Sequence, residues 1–299
     1  MNPEVVNPLL VNPEFVNPQL VNQALLPIGL GLMMLAMGLS LKVHHFAKLL
    51  LFPKVIALGI TLQLVLLPVL AWFWIVVLGL SASVAAGLIL VALAPGGATS
   101  NVISYLCRGD TALSVCLTAI VSLVVPFTIP WMVNLQFGWL GVTGAGFQLP
   151  LGLTIIQLVV VTVVPILLGM GLAHKYPITV AHIQPWVQRI VGVVFVALVI
   201  TMAVANHDAL PNVMSKATLA ALLMCCSAMA IAFIISRLTQ LNSEQSVTIT
   251  VEVGIQNAGT AMMVAATLMQ QPHLAMLPLA YGIIMNIPAL GLIGYRRFC

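Results

Sequence analysis

Charge is what this sequence has least of. Of 299 residues, 5% are Asp, Glu, Lys or Arg, while 62% are hydrophobic. A soluble domain carries about 25% charged residues. So little charge excludes a water-facing surface for a chain of this size and makes lipid the solvent for most of it. The net charge of +4 rests on ten Lys and Arg that form no basic stripe with interleaved aromatics, so no nucleic-acid partner is expected. The five cysteines, Cys107, Cys116, Cys225, Cys226 and Cys299, form no CxxC pair. That excludes a disulfide framework or zinc site and leaves them as small apolar packing residues. No serine–histidine, aspartate-pair or metal motif falls at membrane depth, so the chain is not expected to be an enzyme.

What is present is a succession of hydrophobic runs with short polar breaks. They cover 24–41, 55–79, 82–106, 111–135, 148–173, 187–205, 215–236, 246–269 and 273–295, and are lettered A to I. Each is near the ~20 residues that cross ~30 Å of hydrocarbon. The expected fold class is therefore all-α, a polytopic membrane protein of about nine transmembrane helices. Ahead of span A, Asn2, Asn7, Asn12 and Asn17 are each followed by Pro, and Asn22 continues the phase. A proline every fifth residue forbids a continuous helix. Residues 1–23 are thus expected as a low-complexity tail of turns or extended chain, without the basic n-region of a signal peptide.

Charge tests the span count. With the tail outside, the inner breaks hold Lys42, Lys48, Lys54, Arg108, Lys175, Arg189, Arg237, Arg296 and Arg297, and the outer breaks hold only Lys216. Such a split obeys the positive-inside rule and puts the N-terminus outside and the C-terminus in the cytoplasm. His44, His45, His174 and His182 fall in inner breaks as solvated interface residues, and His207 and Asp208 fall in an outer polar loop. The Met pairs at 33–34 and 262–263 suit adaptable packing around a moving surface.

Two spans contradict their own setting. Span C contains Ala94-Pro95-Gly96-Gly97-Ala98-Thr99-Ser100-Asn101, and span H contains Glu252-Val253-Gly254-Ile255-Gln256-Asn257-Ala258-Gly259. Pro costs a helix interior about 3 kcal/mol and Gly about 1. Broken backbone survives at membrane depth only inside protein or along a watery cavity. Two broken helices in separate halves point to a transporter site at the midplane, with carbonyls for a cation and half-helix N-termini for an anion. Glu252 is the one acidic residue inside any span. Burying its charge costs about 2.5–3.5 kcal/mol even on a lenient scale. Either a proton or a metal cation must neutralise it. The company is oxygen-rich: Ser100, Asn101, Gln256 and Asn257, then Ser114, Thr118 and Ser122 on one face of span D, and Gln63 in span B. Oxygen ligands without clustered His or Cys favour a hard cation, Na⁺ being the natural coupling ion.

APGGATSNVISYLCRGDTALSV and EVGIQNAG resemble the two signature regions of the bile acid:sodium symporter family, and GLMMLAMGLSLKVHHF resembles the segment ahead of that family's third helix. The likeness runs from about residue 28 to the end. It implies an inverted-repeat bundle in which two crossing discontinuous helices, spans C and H, sit in a core. The core would comprise residues 55–135 and 215–295, and a panel 24–41 and 148–205. It implies two Na⁺ ions. The first would bind Ser100, Asn101, Ser114, Thr118 and Glu252. The second would bind Gln63, Glu252, Gln256 and the carbonyls of Val253 and Ile255. Ala98, Thr99, Asn257 and Asn286 are the residues expected at the substrate. Two positions depart from the family: many members have Thr where this chain has Ala98, and His where it has Met285. A site without that hydroxyl and imidazole holds its substrate differently. The many bacterial members with ten helices have a first helix that is replaced here by the Asn-Pro tail.

The expected function is Na⁺-coupled symport of a small organic anion by alternating access, in the lipid bilayer of a cell membrane, the bacterial inner membrane by resemblance. The cargo would be a carboxylate or sulfonate of bile-acid, pantoate or pyruvate type. A sodium/proton antiporter with Glu252 as carrier is the alternative, and a receptor that binds without flux is a further one. Composition gives no oligomeric state.

Overall fold

The structure, a computed structural model, describes residues 18–41, 52–141, 148–205 and 210–298. Among them every regular element is helical. In chain order these are α1 (Val21–Ser40), α2 (Pro53–Leu78), α3 (Ala82–Leu93), α4 (Ala98–Leu106), α5 (Thr111–Trp139) and α6 (Leu151–Lys175). There follow α7 (Pro177–Ala205), α8 (Leu210–Leu238), α9 (Ser243–Gly254), α10 (Ala258–Leu268), α11 (Met276–Ile284) and α12 (Asn286–Phe298). Six helical stretches among the described residues are long and apolar enough to span a bilayer: α1, α2, α5, α6, Lys216–Leu238 of α8, and Pro272–Arg297 through α11 and α12. The protein is an all-helical polytopic membrane protein. Spans C and H are not continuous helices: α3 and α4 divide the first, α9 and α10 the second.

Prolines shape three of the long helices. Val21–Leu25, Leu62–Leu66 and Val159–Val163 are π turns, each just ahead of Pro27, Pro68 or Pro165. A proline removes one amide donor and crowds the carbonyl of the turn before it. The chain answers with five-residue bonds, Leu26 N–H to Val21 O, Leu67 N–H to Leu62 O and Val164 N–H to Val159 O. Gln63 rides on the second of these turns.

In lipid, helices pack best where small residues let backbones touch. α1 and α6 meet this way at Gly38 and Gly169. A Cβ on Gly38 would lie 2.3 Å from Ile166 O, and one on Gly169 2.5 Å from Leu35 O. α7 joins the pair, with Gln184 and Gln188 donating to Ser40 Oγ. Elsewhere Trp74 on α2 donates to Ser227 on α8, and Tyr281 on α11 reaches α9. Helix ends meet in two groups. Asn22 and Thr267 bond at one end. At the other, Arg296 donates to Cys107 O and Ser243 Oγ, and Asp110 N–H to Glu244 O.

Three boundaries differ from expectation. Pro18, the first described residue, is already helical although it falls inside the expected tail, and Asn22 is buried against α10. Span F begins at Pro177, where the proline opens the helix. Its first turns carry His182, Gln184, Gln188 and Arg189, so hydropathy alone placed the start near 187; His182 is helical, as is His174 on the last turn of α6. Span D continues to Trp139 despite Pro126 and Pro130. The Asn-Pro residues up to Asn17, and Lys42, His44, His45, Lys48, His207, Asp208 and Cys299, lie outside the described residues.

Candidate functional site: a carboxylate at the crossing of two broken helices

The breaks are local consequences of sequence. Pro95 disfavours helix at the residue before it, and Ala94 is extended at φ −70°, ψ 152°. Gly97 is extended too and leaves the N-terminus of α4 without a side-chain cap. On the other helix Ile255 turns out at φ −104°, ψ 104°, and the Asn257 side chain caps α10 by accepting from Thr260 N–H at 3.1 Å. The two breaks then pair with each other. Gly96 and Gln256 form an antiparallel bridge, and Asn257 N–H donates to Pro95 O at 2.8 Å. Backbone groups freed from helix are thus satisfied by protein, as membrane depth demands. Tyr281 OH donates to Gly254 O at 2.8 Å and Cys225 Sγ to the same carbonyl at 3.3 Å.

Glu252 lies at this crossing and is fully buried. Its Oε1 accepts from Ser114 Oγ at 2.5 Å and its Oε2 from Thr118 Oγ1 at 2.7 Å. Asn101 Oδ1 competes for both protons, 2.8 Å from Ser114 Oγ and 3.3 Å from Thr118 Oγ1. Ser100 donates its hydroxyl to Gly97 O at 2.7 Å. Acceptor oxygens therefore outnumber donor protons around the carboxylate. Gly96 is what lets the helices close on it, since a Cβ there would lie 2.8 Å from Glu252 Oε2. Ser100, Asn101, Ser114, Thr118 and Glu252 come together, from α4, α5 and α9.

A second group adjoins the first. Gln63 Nε2 donates to Glu252 O at 2.8 Å. Gln256 Nε2 donates to Val253 O at 2.8 Å and to Glu252 O at 3.2 Å. With their N–H groups so engaged, Gln63 Oε1 and Gln256 Oε1 are buried acceptors with no donor. An unsatisfied buried acceptor costs about 1–3 kcal/mol, which a cation would relieve. The donor set, carboxylate, amide and hydroxyl oxygens and backbone carbonyls, fits an alkali cation. Ile255 lies on the bend of the same strand-like break.

The residues expected at the substrate are less tightly gathered. Ala98 and Thr99 form the half-buried first turn of α4. Asn257 is buried beside them, its Cγ 3.7 Å from where a Gly97 Cβ would stand, and its Nδ2 has no acceptor. Asn286 instead turns back on its own helix, donating to Gly282 O at 2.8 Å and Ile283 O at 3.1 Å where α11 gives way to α12. Ser122 is buried without a partner. Tyr281 and Cys225, which hold the loosened carbonyl of α9, escaped the sequence reading. Their only signal is a donor placed mid-span opposite the break.

Comparison with known proteins gives the family. Residues 27–215 match the model of the sodium bile acid symporter family. A rice (Oryza sativa subsp. japonica) chloroplast protein described as a probable sodium/metabolite cotransporter, BASS1, is 30% identical over 80% of this chain and 57% of its own length. YocS of Bacillus subtilis, described as a sodium-dependent transporter, is 30% identical over 78% of this chain and 70% of its own. The human ileal sodium/bile acid cotransporter is 24% identical over 78% of this chain and 66% of its own. The chain thus spans little more than half the length of the plant relative. Each of these relatives is described as a sodium-dependent transporter or cotransporter. With 27–215 matched and the paired breaks in place, the chain belongs to the sodium bile acid symporter family.

Proposed function

We propose that the protein is a secondary active transporter that imports a small organic anion, carboxylate or sulfonate, together with Na⁺ by alternating access. The observation that carries this is the shortage of protons around Glu252. A lone buried carboxylate crowded by further acceptors is stable in lipid when a cation sits among them. Glu252, Ser100, Asn101, Ser114 and Thr118 hold the first Na⁺. Gln63, Gln256, Glu252 and the carbonyls of Val253 and Ile255 hold a second.

The ion acts on the substrate through the helices that ligate it. Asn101 and Ser100 lie in the first turns of α4, whose uncapped amides at Ala98 and Thr99 point their positive end toward an anion. Asn257 Nδ2 adds a donor from the other break. A cation bridging Asn101 and Glu252 fixes the angle between these two anion-binding elements, so Na⁺ raises substrate affinity and substrate raises Na⁺ affinity equally. Asn286 would meet the substrate through its side-chain carbonyl oxygen, its N–H groups being bonded to its own helix. α1, α6 and α7 form a panel that rocks against a core of the remaining helices, and the bundle as a whole is built as an inverted repeat. The tail lies outside and the C-terminus in the cytoplasm of a cell membrane, the bacterial inner membrane on our reading.

The test is uptake into proteoliposomes. A panel of small carboxylates and sulfonates is first screened by thermal shift with and without Na⁺, and the hit is used as substrate. Uptake is expected to require a Na⁺ gradient; uptake indifferent to Na⁺ would overturn the reading. Na⁺ flux driven by ΔpH without organic solute would point to an antiporter instead.

A further inference from the structure

One polar bond crosses an otherwise apolar seam between α1 and α10. Thr267, in the last turn of α10, donates its hydroxyl to the backbone carbonyl of Asn22, in the first turn of α1. Both residues sit in π turns, Val21–Leu25 and Val264–Leu268, and the two turns pack together. Along the seam Leu30, Met33, Met34 and Met37 of α1 cluster with Met263 of α10 and Ala119 of α5. The Asn22 side chain is 5% exposed, and its Oδ1 is buried without a donor.

The opposite half of the crossing is open. Every residue from Gln245 to Ala266 is buried, whereas on α4 Val102 is 53% and Tyr105 69% exposed, and Ala98 and Thr99 are half-buried. The seam between α1 and α10 is therefore shut in a conformation in which one face of α4 is not covered by protein.

We propose that the Thr267–Asn22 contact is the latch of the outer gate, and that the Asn22 side chain is its built-in release. The inference rests on the alternating-access reading, in which α1 and α10 must part each cycle. Two groups at one point act in opposite directions. The Thr267 hydroxyl bonds only when the seam is shut. Asn22 Oδ1 is desolvated without compensation when the seam is shut and regains water when it opens. The methionines farther along the seam, unbranched and flexible, repack on either side of the transition at little cost. A contact that is favoured by one group and opposed by its neighbour stays close to balance, as a gate must.

The test is the rate at which a hydrophilic thiol reagent labels Met263→Cys in detergent-solubilised full-length protein, corrected for the native cysteines. Thr267→Val removes the hydroxyl at constant shape and is expected to speed labelling about threefold to tenfold, in line with one lost hydrogen bond. Thr267→Ser is expected to restore the original rate. Asn22→Leu keeps the accepting backbone carbonyl but removes the unpaired oxygen, and is expected to slow labelling. Shifts of the two in the same direction, or no shift with Thr267→Val, would overturn the latch, because a contact that merely packs the seam gives those results. Wild-type uptake is read separately. Sodium-driven uptake without the opposed shifts refutes the latch alone, and opposed shifts without such uptake refute the transport reading alone.

Discussion

The two broken helices do the same thing to the backbone and opposite things to their surroundings. α9 and α10 carry the one membrane-buried carboxylate, and every residue from Gln245 to Ala266 is buried. α3 is buried from Ala85 on, but α4 shows Val102 and Tyr105 and half-exposes Ala98 and Thr99. A charge in lipid has to stay enclosed by ligands, so the helix that bears it is wrapped on all sides. The other has one face not covered by protein, as the solute site proposed at its N-terminus requires. On the function proposed above, the enclosed helix holds the cation and the other presents its amides to the substrate, and the two are joined by the Gly96–Gln256 bridge and the bond from Asn257 N–H to Pro95 O.

Substitutions that cross this divide should rank accordingly. The largest effect is expected from Glu252→Ala, which leaves Ser114, Thr118, Gln63 and Gln256 without the charge they surround. Sodium-driven uptake should fall to background, and wild-type uptake by this variant would break the comparison at its root. Next comes Gly96→Ala, whose Cβ would stand 2.8 Å from Glu252 Oε2. Overpacking of this kind costs about 1–3 kcal/mol. A fall in melting temperature together with weaker Na⁺ dependence is expected, and an unaltered thermal profile would show that the crossing has slack.

Thr118→Val removes one of the two hydroxyls on the carboxylate while conserving shape. About 1–1.5 kcal/mol of ion binding is at stake, so the Na⁺ concentration for half-maximal uptake should rise roughly fivefold to tenfold. The smallest effect belongs to the open helix. Val102→Ala, at a 53% exposed position, should leave stability within about 0.5 kcal/mol and Na⁺ dependence unchanged. A large Na⁺ effect there would erase the distinction between the two helices.

Much of this architecture was legible in the chain itself, for reasons that differ by residue. Pro95, Gly96 and Gly97 announce a break because proline lacks a donor and glycine lacks a side chain, facts independent of tertiary context. Glu252 announces a site because an acid cannot sit in hydrocarbon unattended. The faces follow from helical spacing, which puts Ser114 and Thr118 one turn apart on α5. What the chain did not disclose depends on contacts between distant segments. The antiparallel pairing of Gly96 with Gln256 joins residues far apart in sequence, and Tyr281 and Cys225 are recruited by a carbonyl that only the folded crossing exposes. The start of α7 at Pro177 was missed because its first turns are polar, and hydropathy sees a membrane boundary where the helix has already begun. Asn286 was expected at the substrate from resemblance. Its amide is bonded to Gly282 O and Ile283 O at the junction of α11 and α12, a local side-chain choice that residue spacing does not announce, although Pro288 announces the junction itself.

Sodium binding in the absence of substrate tests the ion site most directly. Thermal unfolding of purified wild-type protein and of Glu252→Gln is followed while NaCl replaces choline chloride at constant ionic strength. Glu252→Gln keeps the shape and removes the charge. Wild-type protein is expected to gain stability with the logarithm of Na⁺ concentration once the dissociation constant is passed, and the variant to gain none. Equal stabilisation of both by Na⁺ would mean that the ion is held elsewhere and that Glu252 is balanced by a proton.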